Sequence, residues 1–418
     1  MSSDGRTVAV VLSGAAARGA FQAGALAVLV PALAAQGLRP TIWLGTSAGS
    51  INAVLWGARA HLDPAEAGDD VISVWLRMSD DDVYEPLSLT APRLALQFAG
   101  GALLGRGPGT TSLLDTAPLR RTAEEVLHTD LLETNLASGT VAACGIVATR
   151  MPEELEGDQP GTASGRSVLF LDEHEPSGYD GDSSRALDVV RGPLRAEHVL
   201  ASSAIPVAFP PVELPAPAGW YVDGGVRLNT PLHPAIGLEA DRILVVSATA
   251  TAYAPPAPAP RPVGGTPDIA DAAAQLLHAA LADRTTEDLR ALRRTNRLVA
   301  AAARAGRSDL LVDGGGRPYR AVPVMAVSPP AGAMGRAADR IFTERTRGLG
   351  RLTELDSWMI GRALRGAGDN VGRRELLSYL FFDEEYFAAG VELGRAAATD
   401  ALAAGWESES ESGSESGP

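Results

Sequence analysis

The sequence predicts an α/β fold on a central, mostly parallel sheet, and three observations carry that expectation. Continuous apolar runs bounded by turns stand at residues 7–12, 41–45, 140–148 and 243–248, the pattern of strands buried on both faces. The chain opens in the order strand, helix, strand, helix, which lays parallel strands side by side under right-handed crossovers. Finally, the pentapeptide Gly45-Thr46-Ser47-Ala48-Gly49 falls where the second strand gives way to a helix-like run, a turn so tight that only small neighbours fit.

Taken in order, Thr7-Val8-Ala9-Val10-Val11-Leu12 forms the first strand and ends at a glycine turn. Residues 17–36 are helix-like, with Pro31 expected to kink or break them because proline lacks the N–H a helix needs. Ile42-Trp43-Leu44 makes the second strand, and a helix starts at Ala48. After the strand at 140–148, residues 151–186 are rich in Gly, Asp, Glu, Ser and Pro and read as a surface hairpin and loop with a short strand at 167–171. The proline-rich stretch 255–262 is stiff and extended. Residues 269–305 read as a long helical excursion, 322–327 as a further strand and 352–404 as helix again. The acidic Glu/Ser/Gly tail at 405–418 is too polar to fold. The expected organisation is one domain over 1–400, with core motifs in 7–250 and helical and strand additions in 265–400.

Composition narrows the function classes. A chain of 418 residues, 45% hydrophobic, can bury a large core. Its net charge of −15 repels nucleic acid and anionic membranes alike, so any contact with lipid should be driven by apolar surface. Cys144 is the only cysteine, which excludes an intrachain disulfide and a thiolate metal cluster. The first strand begins too early to leave room for a cleavable signal. No apolar run is expected to reach membrane-spanning length; the nearest, 94–104, is interrupted by Gln97, Gly100 and Gly101. A soluble, cytoplasmic protein is expected.

The chemistry gathers at three places. At the strand-to-helix turn, Ser47 presents a hydroxyl beside a helix N-terminus, placed to attack an acyl carbon. Before it, Ser13-Gly14-Ala15-Ala16-Ala17-Arg18-Gly19 opens the first helix, and its small residues leave backbone N–H groups pointing outward to hold a phosphate or an oxyanion. A Walker loop would need Lys then Ser or Thr, where Ala20-Phe21 stand; a dinucleotide site would need a middle glycine, where Ala16 stands, and an acid near position 39, occupied by Arg39. That leaves an oxyanion hole, or a helix cap with no ligand. The third place is Asp223, at a strand end before Gly224-Gly225, where a carboxylate can approach another loop closely. Asp313, before Gly314-Gly315-Gly316, is its rival but reads as a hairpin turn.

Together these elements resemble the patatin-like phospholipase family: a glycine-rich loop ending Arg-Gly, a Gly-x-Ser-x-Gly elbow on the next strand, then Asp-Gly-Gly. Further stretches are similar to the same family, among them Ser112-Leu113-Leu114-Asp115, Ala201-Ser202-Ser203-Ala204-Ile205-Pro206 with Phe209-Pro210-Pro211, and Leu377-Ser378-Tyr379-Leu380-Phe381-Phe382-Asp383. The resemblance implies a three-layer α/β/α fold and a lipid acyl hydrolase needing no cofactor and no metal. It also implies a dyad in which Ser47 attacks the ester and Asp223 takes its proton. Gly45 and Gly49 would shape the elbow. Backbone amides at Gly14, Ala15 and Ala16 would hold the oxyanion, with Arg18 and Gly19 completing that loop and Arg18 bracing it or the substrate phosphate. The partners implied are a lipid or phospholipid substrate and transient contact with a membrane surface, with no nucleic acid.

Three features bear on that reading. Ala15 and Ala16 stand where the family commonly has glycine, and their Cβ atoms penalise positive φ; a non-catalytic lipid-binding protein is the corresponding alternative. An α/β-hydrolase with a Ser-His-Asp triad is the other, for which His233 and His278 follow Asp223, although such a fold places several strands before its elbow. For the acyl chain, residues 94–104 and the helix face of Val71 and Trp75 could form a groove, or simply pack in the core.

Overall fold

The computed structural model describes residues 7–85, 115–152, 165–206, 208–250, 284–307, 311–312, 318–347 and 371–407. Its strands are β1 (Val8–Leu12), β2 (Pro40–Thr46), β3 (Ala143–Arg150), β4 (Arg166–Glu173), β5 (Gly181–Asp182), β6 (Leu187–Arg191), β7 (Val212–Pro215), β8 (Ala218–Asp223), β9 (Arg242–Val246) and β10 (Val324–Val327). They form one sheet in the order β10-β9-β1-β2-β3-β4-β6-β5, with β8 paired to β3 and β7 to β8. From β10 to β3 all neighbours are parallel; β4 and β8 both run antiparallel to β3.

The period-two alternation of a strand explains why helices cover both faces. Val8, Val10 and Leu12 enter one core with Trp43, Ile146 and Leu244, while Ala9 and Val11 enter the other with Ile42, Leu44 and Val147. The helices are α1 (Gly19–Ala35), α2 (Ala48–Ala58), α3 (Pro64–Arg77), α4 (Asp80–Val83), α5 (Ala117–Val126), α6 (Thr129–Ala137), α7 (Ala196–Ser202), α8 (Leu232–Gly237), α9 (Arg284–Arg304), α10 (Ala333–Arg347), α11 (Val371–Leu380) and α12 (Glu384–Ala404). The first core takes side chains from α1, α2, α3, α6, α7 and α12. The second is closed by Leu232 and Ala235 of α8 and by Leu289 and Leu292 of α9. This is the three-layer α/β/α arrangement.

Several sequence expectations shift. The helix α1 runs through Pro31 to Ala35 without a break. Proline at that point removes one hydrogen bond near the helix end, that of the partly exposed Ala27 carbonyl, which the rest of the helix outweighs. Against the expectation that no run reaches that length, the segment Ala16–Ala35 is long and apolar enough to cross a membrane by length and composition. Here 72% of its most apolar window is buried, and α1 packs against α3 and α12; a helix apolar on all sides is what a core position requires. Within 151–186, β4 is no surface hairpin: Val168, Leu169, Phe170 and Leu171 are buried in the sheet interior. The helix expected over 352–404 is divided at Asp383, whose carboxylate accepts the Tyr386 N–H and starts α12. Finally, the expected tail begins later than residue 405. Trp406 is buried, and Glu407 donates its N–H to Val324 of β10 while its carboxylate takes two bonds from Arg293. The stretches 94–104, 255–262 and 408–418 lie outside the described residues.

Candidate active site

The elbow is built on one residue. β2 ends at Thr46 and α2 begins at Ala48, so Ser47 alone turns the chain, with φ 57° and ψ −131°. A non-glycine residue adopts such a conformation only where its surroundings impose it, at a cost of about 1–3 kcal/mol. A Cβ on Gly45 would overlap the Gly49 carbonyl, and one on Gly49 would overlap the Leu12 carbonyl, so both flanking positions must be glycine for β1, β2 and α2 to converge. The turn is anchored from behind: the Ser47 N–H donates to Ser202 Oγ at 2.8 Å, and that hydroxyl donates to the Val147 carbonyl at 2.6 Å.

Asp223 arrives from β8. Ala148 of β3 pairs with Asp223 just beyond the point where Val147 pairs with Thr46, so the carboxylate stands next to the end of β2. Its backbone N–H donates to the Ala204 carbonyl at 2.8 Å, and its Oδ1 accepts the Gly225 N–H at 2.7 Å. The Ser47 side chain is close enough to act on its ionisation. Asp223 is 6% exposed. Burial pushes its pKa up to about 6, against the opposing pull of Ser47 and Gly225. A carboxylate tuned there can both accept and return a proton near neutrality.

The oxyanion loop differs from expectation in its donors. The Gly14 N–H is already taken, donating to the carbonyl and Oδ1 of Asn229 at 3.1 Å each. The Arg18 N–H donates to Ala15 and that of Gly19 to Ala16. Gly14, Arg18 and Gly19 therefore hold the loop in shape and offer no free amide. Among the described residues, no acceptor meets the N–H of Ala15 or Ala16, and Ala16 borders the same hollow as Ser47. The N–H of Ala48, at the open end of α2, is similarly uncommitted and borders that hollow. Ala15 has an ordinary φ of −140°, whereas Ala16 takes the left-handed value of 47°. The loop thus forms with alanine, and only Ala16 carries the strain.

The Arg18 guanidinium is turned away from the nucleophile. It donates to Ser378 Oγ at 3.0 Å and to Tyr379 Oη at 3.2 Å, pairs with the Glu375 carboxylate, and lies 3.8 Å from the Tyr379 ring centre. Of the two roles expected for it, bracing is the one its partners occupy. A second brace comes from Gln22, which donates to the Ser13 and Val246 carbonyls, and from Asn52, which donates to Gly19 and Gln22.

His233 lies elsewhere. Its Nδ1 is 3.6 Å from Asp182, and it borders a separate polar cavity with Arg185, Arg227, Glu287 and Asp288. It does not join Ser47 and Asp223, so it cannot complete a triad with them. His278 and Asp313 lie outside the described residues. Of the helix face proposed for an acyl chain, Trp75 borders the hollow beside Ser47, while Val71 is core. Among the described residues no group of three or more His, Cys, Asp or Glu could hold a metal ion. Neither Ser202 nor Asn229 is assigned a role by the sequence motifs; their signal is position, one short polar residue at the end of a helix and another just after a paired-glycine turn.

A family model described as patatin-like phospholipase matches residues 10–236. Among solved structures, the crystal structure of VipD from Legionella pneumophila is similar at 15% identity, with a TM-score of 0.30 over 77% of this chain; the chain spans 61% of that one. No curated protein matches it in sequence.

Proposed function

Because the chain belongs to the patatin-like phospholipase family, which comprises esterases and lipases along with some non-catalytic members, we propose that it cleaves acyl esters through Ser47 and Asp223. The Ser47 oxygen attacks the ester carbonyl carbon while its proton passes to Asp223. The oxyanion so formed is held by the N–H groups of Ala15, Ala16 and Ala48, beside the N-terminus of α2. When the carbonyl re-forms, the ester C–O bond breaks and Asp223 returns the proton to the departing alkoxide. Water, deprotonated by the same carboxylate, then releases the acid and regenerates Ser47.

The observation that supports this reading is a juxtaposition: a strained serine at the end of β2 beside a buried carboxylate at the next position along β3, its pKa pushed up to about 6 by burial. Arg18 supports it indirectly by pinning the loop to α11. Contact with a lipid surface would use Trp220 and Met151, which are 52% and 41% exposed and adjoin through the Met151 N–H and the Trp220 carbonyl. Trp220→Glu should slow turnover of vesicle-borne ester while sparing a soluble one; equal effects on both would remove that surface from the account.

The test is ester turnover by purified protein. Wild type should hydrolyse a soluble acyl ester; Ser47→Ala and Asp223→Asn should each lose at least about a thousandfold in kcat. His233→Ala should stay within about threefold, as a group outside the reacting pair does. Retained turnover in Ser47→Ala would end the proposal.

A further inference from the structure

One apolar hollow adjoins the nucleophile, and a second adjoins the first. The first is bordered by Ser47 together with Ala16, Trp75, Phe209 and Phe382. The second runs between α5 and α7, past Thr122 and Val199, to Val126 and Leu127. Ile51, Met78, Leu119 and Ser203 border both, which makes them successive parts of one channel leading from Ser47. Their free volumes are about 30 and about 10 Å³, so an entering chain must displace side chains, and Met78 and Leu119 are the adaptable ones.

Ser203 stands out in that lining. It is 7% exposed, and its Oγ is buried with no hydrogen-bond partner among the described residues. Besides Ser47 itself, the channel wall carries the hydroxyl of Thr122, which is satisfied by the Asp82 and Pro118 carbonyls. Moreover, Ser203 follows Ser202, whose hydroxyl holds the Ser47 N–H, so the orphan lies near the reacting end of the channel. Hydrocarbon filling this space would seal the Ser203 hydroxyl in without a partner, the costly outcome for a buried polar group. A chain carrying its own hydroxyl there would satisfy donor and acceptor together. Sites built to hydrogen-bond a substrate hydroxyl reject the analogue lacking it far better than apolar pockets discriminate size.

We propose that this channel is the acyl site and that Ser203 selects acyl chains bearing a hydroxyl close to the ester carbonyl, that is, hydroxyacyl esters. The inference rests on the hydrolase reading above and adds the substrate class. Ser203 acts by binding and takes no part in proton transfer.

Decanoyl and 3-hydroxydecanoyl esters of one alcohol test it, with wild type, Ser203→Ala and Ser203→Thr. Wild type should favour the hydroxy ester in kcat/KM by about fivefold to tenfold, the worth of one neutral hydrogen bond. The ratio should fall to about one in Ser203→Ala and survive in Ser203→Thr, which keeps the hydroxyl. A wild-type ratio near one, or a ratio unchanged in Ser203→Ala, overturns the assignment while leaving the dyad in place. No turnover of the hydroxy ester overturns it too, and labelling of Ser47 by a fluorophosphonate then shows whether the hydrolase reading falls with it.

Discussion

Ser47 and Asp223 meet because β2 and β8 share one edge of β3 in succession: Thr46 is the last β2 residue paired there, against Val147, and Asp223 takes the next position, against Ala148. The nucleophile's strand stops where the base's strand begins. A backbone register therefore sets the distance between two side chains far apart in the chain, and no flexible loop intervenes.

That burial has a thermodynamic consequence. Asp223 titrates at about 6 in the folded chain, against about 3.9 for an unburied aspartate. A raised carboxylate binds its proton more tightly when folded, so stability is greatest with Asp223 protonated and falls as pH climbs from about 4 to about 6. Asp223→Asn cannot ionise and should be more stable than wild type at pH 7 by about 1–3 kcal/mol, with the gap closing near pH 4. Thermal melts at the two pH values decide it, and a variant less stable at pH 7 would contradict the assignment of burial as the cause.

The same ionisation should shape the rate. As a base, Asp223 must be deprotonated, so kcat/KM for a soluble ester should rise about tenfold per pH unit below about 6 and level off above it. A profile flat from pH 4.5 to 7.5 would argue against proton transfer to this group.

Strain at the oxyanion loop separates two adjacent alanines. Ala16 at φ 47° should accept glycine with a gain of up to about 1 kcal/mol, because relief of the left-handed penalty exceeds the extra chain entropy. Ala15 at φ −140° should lose about 0.5–1 kcal/mol on the same change. Chemical denaturation of both variants measures the contrast; a reversed order would mean that the loop is shaped differently.

Asn229 fixes Gly14 and so the loop that carries the free amides. Asn229→Ala removes one of the two acceptors of the Gly14 N–H and keeps the backbone carbonyl; it should cost about 0.5–1.5 kcal/mol of stability and lower kcat more than it raises KM. An unchanged kcat would show that the loop keeps its form unaided.

Arg18 and Glu375 form a largely buried ion pair between the loop and α11. Arg18→Met leaves Glu375 without its cation and should destabilise by about 3–5 kcal/mol, the usual cost of stranding one member of such a pair. Arg18→Lys should recover part of it, since lysine restores charge without the planar fork that reaches Ser378 and Tyr379.

Much of the fold could be read from the chain because buried parallel strands write themselves as unbroken apolar runs: β1, β2, β3 and β9 each lie within a residue or so to three of the expected stretch. The elbow was legible because only glycine fits at Gly45 and Gly49. β4 was expected as a short strand at 167–171 but placed on the surface, because its apolar core sits in a polar stretch and tertiary pairing with β3 overrode the local composition. Pro31 misled because a proline costs little near a helix end whose remaining length is held by packing. Which amides of the oxyanion loop are free could not be read at all. That depends on Asn229, brought to Gly14 by the turn after β8.

The central claim is that Ser47 is made nucleophilic by Asp223. Its most direct test is covalent labelling with a fluorophosphonate, read by intact mass and peptide mapping in wild type, Ser47→Ala and Asp223→Asn. Wild type should carry a single adduct on Ser47, Ser47→Ala should carry none, and labelling should slow at least about a hundredfold in Asp223→Asn. Wild type that stays unlabelled, or that carries its adduct on another residue, would contradict it.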